Sequence, residues 1–184
     1  MKTRDRILCA LFAALTAVGG FVRIPFPLAA LTLQFLFTAM AGRLLGAGYG
    51  ALSQAVYVLL GLAGAPVFAL GGGISYVLQP TFGYVLGLIP AAWLIGLLTR
   101  RGGGVVRTWA AMLAGLAADY AFGLSYLAFI ANGCLGRGLT LRQVLYSGLL
   151  VYLPGDFLKL ALAGLLCTAA VRRLPPALLP SRSA

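Results

Sequence analysis

The chain alternates long apolar runs with short breaks rich in glycine, proline and charge. A helix that crosses the hydrocarbon core of a bilayer needs about 20 mostly apolar residues, within a range of about 17 to 25. Six stretches approach that length, at 4–22, 31–45, 48–62, 78–98, 105–130 and 149–171. The second and third are the shortest. Pro25 and Pro27 end the first, because proline lacks an N–H and biases the preceding residue away from the helical region. Gly71-Gly72-Gly73 lies before the fourth stretch, Arg100 to Gly104 follows it, and Asn132 to Thr140 separates the last two. Leu141 to Tyr146 reads as a short helix or as the beginning of the sixth. No repeat and no second domain is visible. The pattern predicts an all-α integral membrane protein, a single transmembrane domain over 1–184 with six spans.

Composition agrees with that reading. Of 184 residues, 61% are hydrophobic and 9% charged, where a soluble domain carries about 25% charged residues. The formal charge of +11 comes from 14 basic and 3 acidic residues. So much basic charge can mark a nucleic-acid binder, but that needs a basic face on a soluble fold. Here the basic residues sit at the ends of apolar runs. With six spans, Lys2, Arg4, Arg6, Arg43, Arg100, Arg101, Arg107, Arg172, Arg173 and Arg182 share one side, against Arg23, Arg137 and Arg142 on the other. Positive residues concentrate in cytoplasmic loops, so both termini are expected in the cytoplasm, with no nucleic-acid partner. The basic N-terminus followed by an apolar run resembles a signal peptide. No small-residue cleavage site leads into a soluble domain, so it reads as a retained first helix.

Chemistry must come from few polar groups. There is no histidine, and Cys9, Cys134 and Cys167 share no metal or redox spacing. Asp156 and Lys159 stand at i and i+3, on one helix face, in the apolar segment Leu153-Pro154-Gly155-Asp156-Phe157-Leu158-Lys159. Charges at membrane depth cost a few kcal/mol each and persist when paired or when they bind something. The pair predicts either a polar ligand or an internal salt bridge between helices. The charge pattern places it in the outer half of the membrane, after a break at Pro154-Gly155. Gln79, Thr81 and Tyr84 bring polar atoms to the outer end of the fourth stretch, as ligand contacts, helix caps or, for Tyr84, an interfacial anchor. Asp119 is a further acid in the fifth stretch. Gly71 to Gly73 is not a phosphate loop, because no Gly-Lys-Ser/Thr follows, so no ATPase motif is present. Ala10, Ala13, Ala14 and Ala17 form small-xxx-small pairs that let another helix approach the first, inside this chain or from a partner.

Several blocks together resemble a known family. They are Tyr57 to Ala69 with its Gly-Ala-Pro-Val-Phe-Ala core, Gly71-Gly72-Gly73, and Pro80-Thr81-Phe82-Gly83-Tyr84. To these add Leu31-Thr32-Leu33-Gln34, Tyr120 to Leu127, and Pro154-Gly155-Asp156-Phe157-Leu158-Lys159. In this order the chain resembles the BioY family, biotin-specific substrate-binding S components of energy-coupling factor transporters. The resemblance covers nearly the whole chain, with departures at Gln79 and Phe82. It implies a six-helix S-component bundle in the bacterial cytoplasmic membrane, with a vitamin pocket near the outer face. It implies that Asp156 and Lys159 contact biotin, with pocket roles for Gln79 and Tyr84. It implies that the alanine stripe docks on a transmembrane coupling protein, which works with two ATP-binding cassette subunits. No cofactor is expected, and the ligand is biotin. Its ureido ring offers two N–H donors and a carbonyl, and its tail ends in a carboxylate. Asp156 suits the N–H groups; Lys159 suits either the ureido carbonyl or the tail. Candidate gates are the loop from Arg23 to Leu31 and the Gly71 region. The alternatives are an S component for another small vitamin, an intramembrane enzyme built on Asp119 and Asp156, and a purely structural membrane subunit.

Overall fold

Each apolar run closes into a helix, where every backbone N–H and C=O is paired within the segment. The computed structural model describes residues 3–25, 30–100 and 104–173. Helix α1 (Thr3–Phe21) leads into an antiparallel pair of short strands, β1 (Arg23–Pro25) and β2 (Ala30–Thr32), with Arg23 opposite Thr32. Then come α2 (Gln34–Leu45), α3 (Ala47–Leu62), a 3-10 turn (Ile74–Leu78) and α4 (Phe82–Leu98). Helix α5 (Val105–Ala128) continues into a π-helical turn, Phe129–Cys134. The short α6 (Leu141–Leu145) passes through a second π-helical turn, Tyr146–Leu150, into α7 (Leu153–Arg173). The remainder of the loop from Arg23 to Leu31, the break after α4 and the proline-rich tail lie outside the described residues.

Three helix starts differ most from the sequence expectation. The second stretch does not begin as helix at 31, because residues 30–32 pair with 23–25 instead. A proline is tolerated at such a strand end, and the Leu33 N–H finds the Gly19 carbonyl at 3.0 Å. The fourth helix starts at Phe82 rather than 78, since 74–78 winds as a separate 3-10 turn. The sixth starts at Leu153 rather than 149. Ahead of it, α6 has its own capping box: Thr140 Oγ1 accepts from the Gln143 N–H at 3.3 Å, and Gln143 Oε1 accepts from the Thr140 N–H at 2.8 Å.

The helices approach closely because glycine and alanine line their contacts, the device that serves helix packing in lipid. The closest partners are α4 and α5. A Cβ on Gly83 would strike Tyr126, and one on Gly87 would meet Asp119 Oδ1 at 2.5 Å. Helices α2 and α3 are joined by Gly46 alone, at φ +84°, a left-handed value that favours glycine. Gly96 of α4 fits directly against the Gly46-Ala47 backbone. We expect Gly96→Leu to push α4 off α3, since main chain cannot rotate away as a side chain does. Loss of the monodisperse peak in size-exclusion chromatography is the expected result.

The interior also holds polar side chains. Gln54 Oε1 accepts from Thr16 Oγ1 at 3.2 Å and from Thr38 Oγ1 at 3.0 Å, all three fully buried, which joins α1, α2 and α3. The outer surface, by contrast, is studded with exposed Leu59, Leu78, Val106 and Leu158. Among the described residues, two helical stretches, Val105–Cys134 and Leu141–Val171, are long and apolar enough to cross a membrane.

The loop at 63–73 is built around one aromatic ring. Phe68, 1% exposed, inserts over Gly61, whose missing side chain makes the room. Its ring meets Tyr57 edge-on at 5.5 Å between centroids, Tyr76 at 4.6 Å and Phe82 at 6.1 Å. Phe68 and Gly71 exchange both backbone hydrogen bonds, at 2.9 and 3.2 Å. The Gly73 N–H reaches back to the Gly61 carbonyl at 2.7 Å. The glycine-rich stretch is therefore an anchored plug, held by a core ring rather than left as a loose flap.

Candidate functional site

The first turns of α7 carry the two charges of the site. Asp156 and Lys159 are 6% and 7% exposed and form an ion pair through Asp156 Oδ1. A carboxylate in the first turn of a helix is favoured by the aligned backbone dipoles. The other oxygen, Oδ2, accepts from the Tyr120 hydroxyl of α5. Lys159 Nζ also donates to the Thr32 carbonyl at 2.9 Å, at the end of β2. The pair is therefore held from three directions, by α5, by α7 and by the hairpin. An ammonium carries three donors, and here two are placed on Asp156 and Thr32.

Aromatic side chains enclose this centre. Tyr84 packs edge-on against Tyr120, centroids 6.0 Å apart, in the space that Gly123 leaves open. The Tyr84 hydroxyl donates to the Gly148 carbonyl at 2.7 Å, pinning the second π-helical turn. The Tyr126 hydroxyl donates to the Val77 carbonyl at 2.5 Å, tying α5 to the 3-10 turn. Asp119 lies one residue before Tyr120, within electrostatic range of both Asp156 and Lys159. Its Oδ1 is buried without a hydrogen-bond partner, against the α4 backbone at Gly87.

The other sequence candidates fall differently. Gln79 is exposed, in the link between the 3-10 turn and α4, and does not join the buried pair. Thr81 occupies the N-cap position of α4 without making a side-chain cap; it is half-buried, and its carbonyl accepts from the Tyr84 N–H at 3.1 Å. The alanine stripe divides. Ala10 and Ala14 are exposed, whereas Ala13 is buried and Ala17 half-buried against this chain's own core. The four alanines share one broad side of α1, and the helix packs so that only the edge carrying Ala13 and Ala17 is covered.

Four residues of the surroundings were named from sequence only inside motif blocks, with no role of their own: Thr32, Gln34, Tyr57 and Tyr120. Gln34 is 7% exposed, accepts from the Thr32 hydroxyl at 2.8 Å, and donates through Nε2 to the Tyr57 hydroxyl. A glutamine opening an apolar helix is the signal that could have marked it, since a buried amide needs partners.

A long-helix fold enclosing a buried acid–base pair can be set beside known proteins. The crystal structure of the S component for biotin from an ECF-type ABC transporter superposes with a TM-score of 0.84, at 25% identity, over 98% of this chain and all of that one. The class is thus a helical protein, with one short hairpin, that has the fold of an energy-coupling factor S component. The family model described as the BioY family matches residues 1–176, and the chain belongs to that family. A probable biotin transporter BioY of Lysinibacillus sphaericus is 43% identical over 158 residues, 85% of this chain and 81% of that protein. The biotin transporter BioY of Rhizobium etli is 38% identical with both chains fully covered.

Proposed function

We propose that this chain is the biotin-binding S component of an energy-coupling factor transporter, taking up the vitamin from outside the cell. The observation that carries the reading is the buried Asp156–Lys159 pair, braced by Tyr120 and Thr32, in a chain of the BioY family. Asp156 accepts from the ureido N–H groups, and the remaining donor of Lys159 meets an oxygen of the ligand. Tyr84 and Tyr120 supply the flat apolar walls that suit the fused rings and methylene tail. Thr81 lies at the rim, and Gln79, being exposed, contributes only where the ligand reaches the surface.

In this reading the chain makes six spans of a bacterial cytoplasmic membrane, with both termini inside. The charge distribution supports that orientation. Energy comes from outside the chain, through a transmembrane coupling protein and two ATP-binding cassette subunits. The exposed Ala10–Ala14 face of α1 supports docking of the coupling protein, since small residues permit close helix approach. Ala13 and Ala17 serve the chain's own packing.

The test is radiolabelled biotin bound to the purified protein in detergent, with unlabelled biotin, riboflavin and thiamine as competitors. Displacement by biotin alone is expected; displacement by another vitamin, or no saturable binding, contradicts the reading. Tyr120→Phe keeps the ring and removes one donor from Asp156. A hydrogen bond to a charged group is worth about 1.5–3 kcal/mol. Titration calorimetry is expected to show affinity for biotin lowered by about tenfold or more.

A further inference from the structure

We propose that Gln34 and Tyr57 are positioning residues that tie the Lys159 ammonium to the plug loop at Val67, so that a ligand held at Lys159 keeps that loop seated. The proposal rests on the biotin reading above and deepens it. Its basis is a run of hydrogen bonds through a largely buried interior. Lys159 Nζ donates to the Thr32 carbonyl at 2.9 Å. The Thr32 hydroxyl donates to Gln34 Oε1 at 2.8 Å, and Gln34 Nε2 donates to the Tyr57 hydroxyl. The Tyr57 hydroxyl donates to the Val67 carbonyl at 3.2 Å. From the Thr32 hydroxyl to the Val67 carbonyl every donor faces the loop, an arrangement in which successive bonds polarise one another; the backbone of Thr32 joins this run mechanically to Lys159.

The surroundings leave this run little freedom. A Cβ on Gly20 of α1 would meet the Val67 carbonyl at 3.1 Å and Gln34 Nε2 at 3.2 Å, so the helix presses both groups together. Tyr57 is 1% exposed and its ring also rests edge-on against Phe68, the ring that anchors the plug. One residue therefore holds the loop twice, by its hydroxyl and by its ring. The Thr32 carbonyl has the complementary position: it fixes one donor of Lys159 and so sets the direction of the donor left for a ligand.

Two substitutions separate coupling from mere packing. Tyr57→Phe keeps the ring against Phe68 and removes both hydroxyl bonds. Gln34→Glu keeps the acceptor for Thr32 but turns the Tyr57 hydroxyl toward the new carboxylate and away from Val67. The readout is maleimide labelling of a cysteine at Ala69, a loop residue half-buried while the loop is seated. The full chain carries Cys134→Ala, because Cys134 is exposed while Cys9 and Cys167 are buried. Biotin is expected to slow labelling of this parent about tenfold, and to leave labelling of both variants unchanged. Their biotin affinity is expected to fall about tenfold, the worth of one such bond. A parent that binds and is protected, with both variants matching it in affinity and protection, overturns the proposal and leaves the biotin reading intact. A parent that binds no biotin overturns both.

Discussion

Lys159→Ala is expected to weaken biotin binding by a hundredfold or more while the protein still inserts and purifies. The ammonium does two things that alanine cannot. It neutralises Asp156, and it donates to the Thr32 carbonyl that closes one side of the site. Removing one member of a buried pair costs about 3–5 kcal/mol, because the other charge is left without compensation. Asp156 then keeps only the Tyr120 hydroxyl among its observed side-chain partners. Asp156→Asn is expected to act in the same direction, since an amide presents a donor where the ureido N–H groups need an acceptor. Combining Asp156→Asn with Lys159→Met relieves the uncompensated charge. That double variant is expected to recover thermal stability without recovering binding. Recovery of both in calorimetry contradicts a ligand role for the pair and favours an internal salt bridge.

Phe68→Ala is expected to have the largest effect away from the charges. The ring is 1% exposed and fills the space among Tyr57, Tyr76 and Phe82 above Gly61. Truncating a buried phenylalanine costs about 3–5 kcal/mol in soluble cores. In lipid the transfer part of that cost shrinks, since the surroundings are as apolar as the core, but the packing part stays. A melting temperature several degrees lower is expected. A cysteine at Ala69, half-buried in the intact loop, is also expected to label readily whether or not biotin is present, because the plug has lost its anchor.

Much of the helical frame was legible because the bilayer reading imposes a simple rule, that long apolar runs become helices. Asp156 and Lys159 were legible for the same reason, as two charges where charge is expensive. The hairpin at 23–25 and 30–32 was not. Nothing in Arg23-Ile24-Pro25 alternates strongly, and its pairing is decided by the Gly19 and Lys159 contacts that reach Leu33 and Thr32 from elsewhere. The inward turn of Ala13 was equally hidden. Four alanines read as one stripe until the packing of α1 on α2 and α3 chooses which face is buried. Gln79 and Tyr84 were named together from sequence, and the fold separates them: Tyr84 packs against Tyr120, whereas the 3-10 turn before α4 leaves Gln79 exposed. Phe68 was visible only as part of a motif. Its partners Gly61 and Tyr57 lie in α3, and only the folded loop brings the ring over them.

The most direct test of the central claim is an experimental structure of the protein with biotin bound. The account predicts the ureido ring within hydrogen-bond distance of the Asp156 carboxylate and a ligand oxygen within reach of Lys159 Nζ. Tyr84 and Tyr120 should flank the ligand, with Phe68 still seated over Gly61. Biotin bound elsewhere, with the Asp156–Lys159 pair closed on itself and untouched, contradicts it.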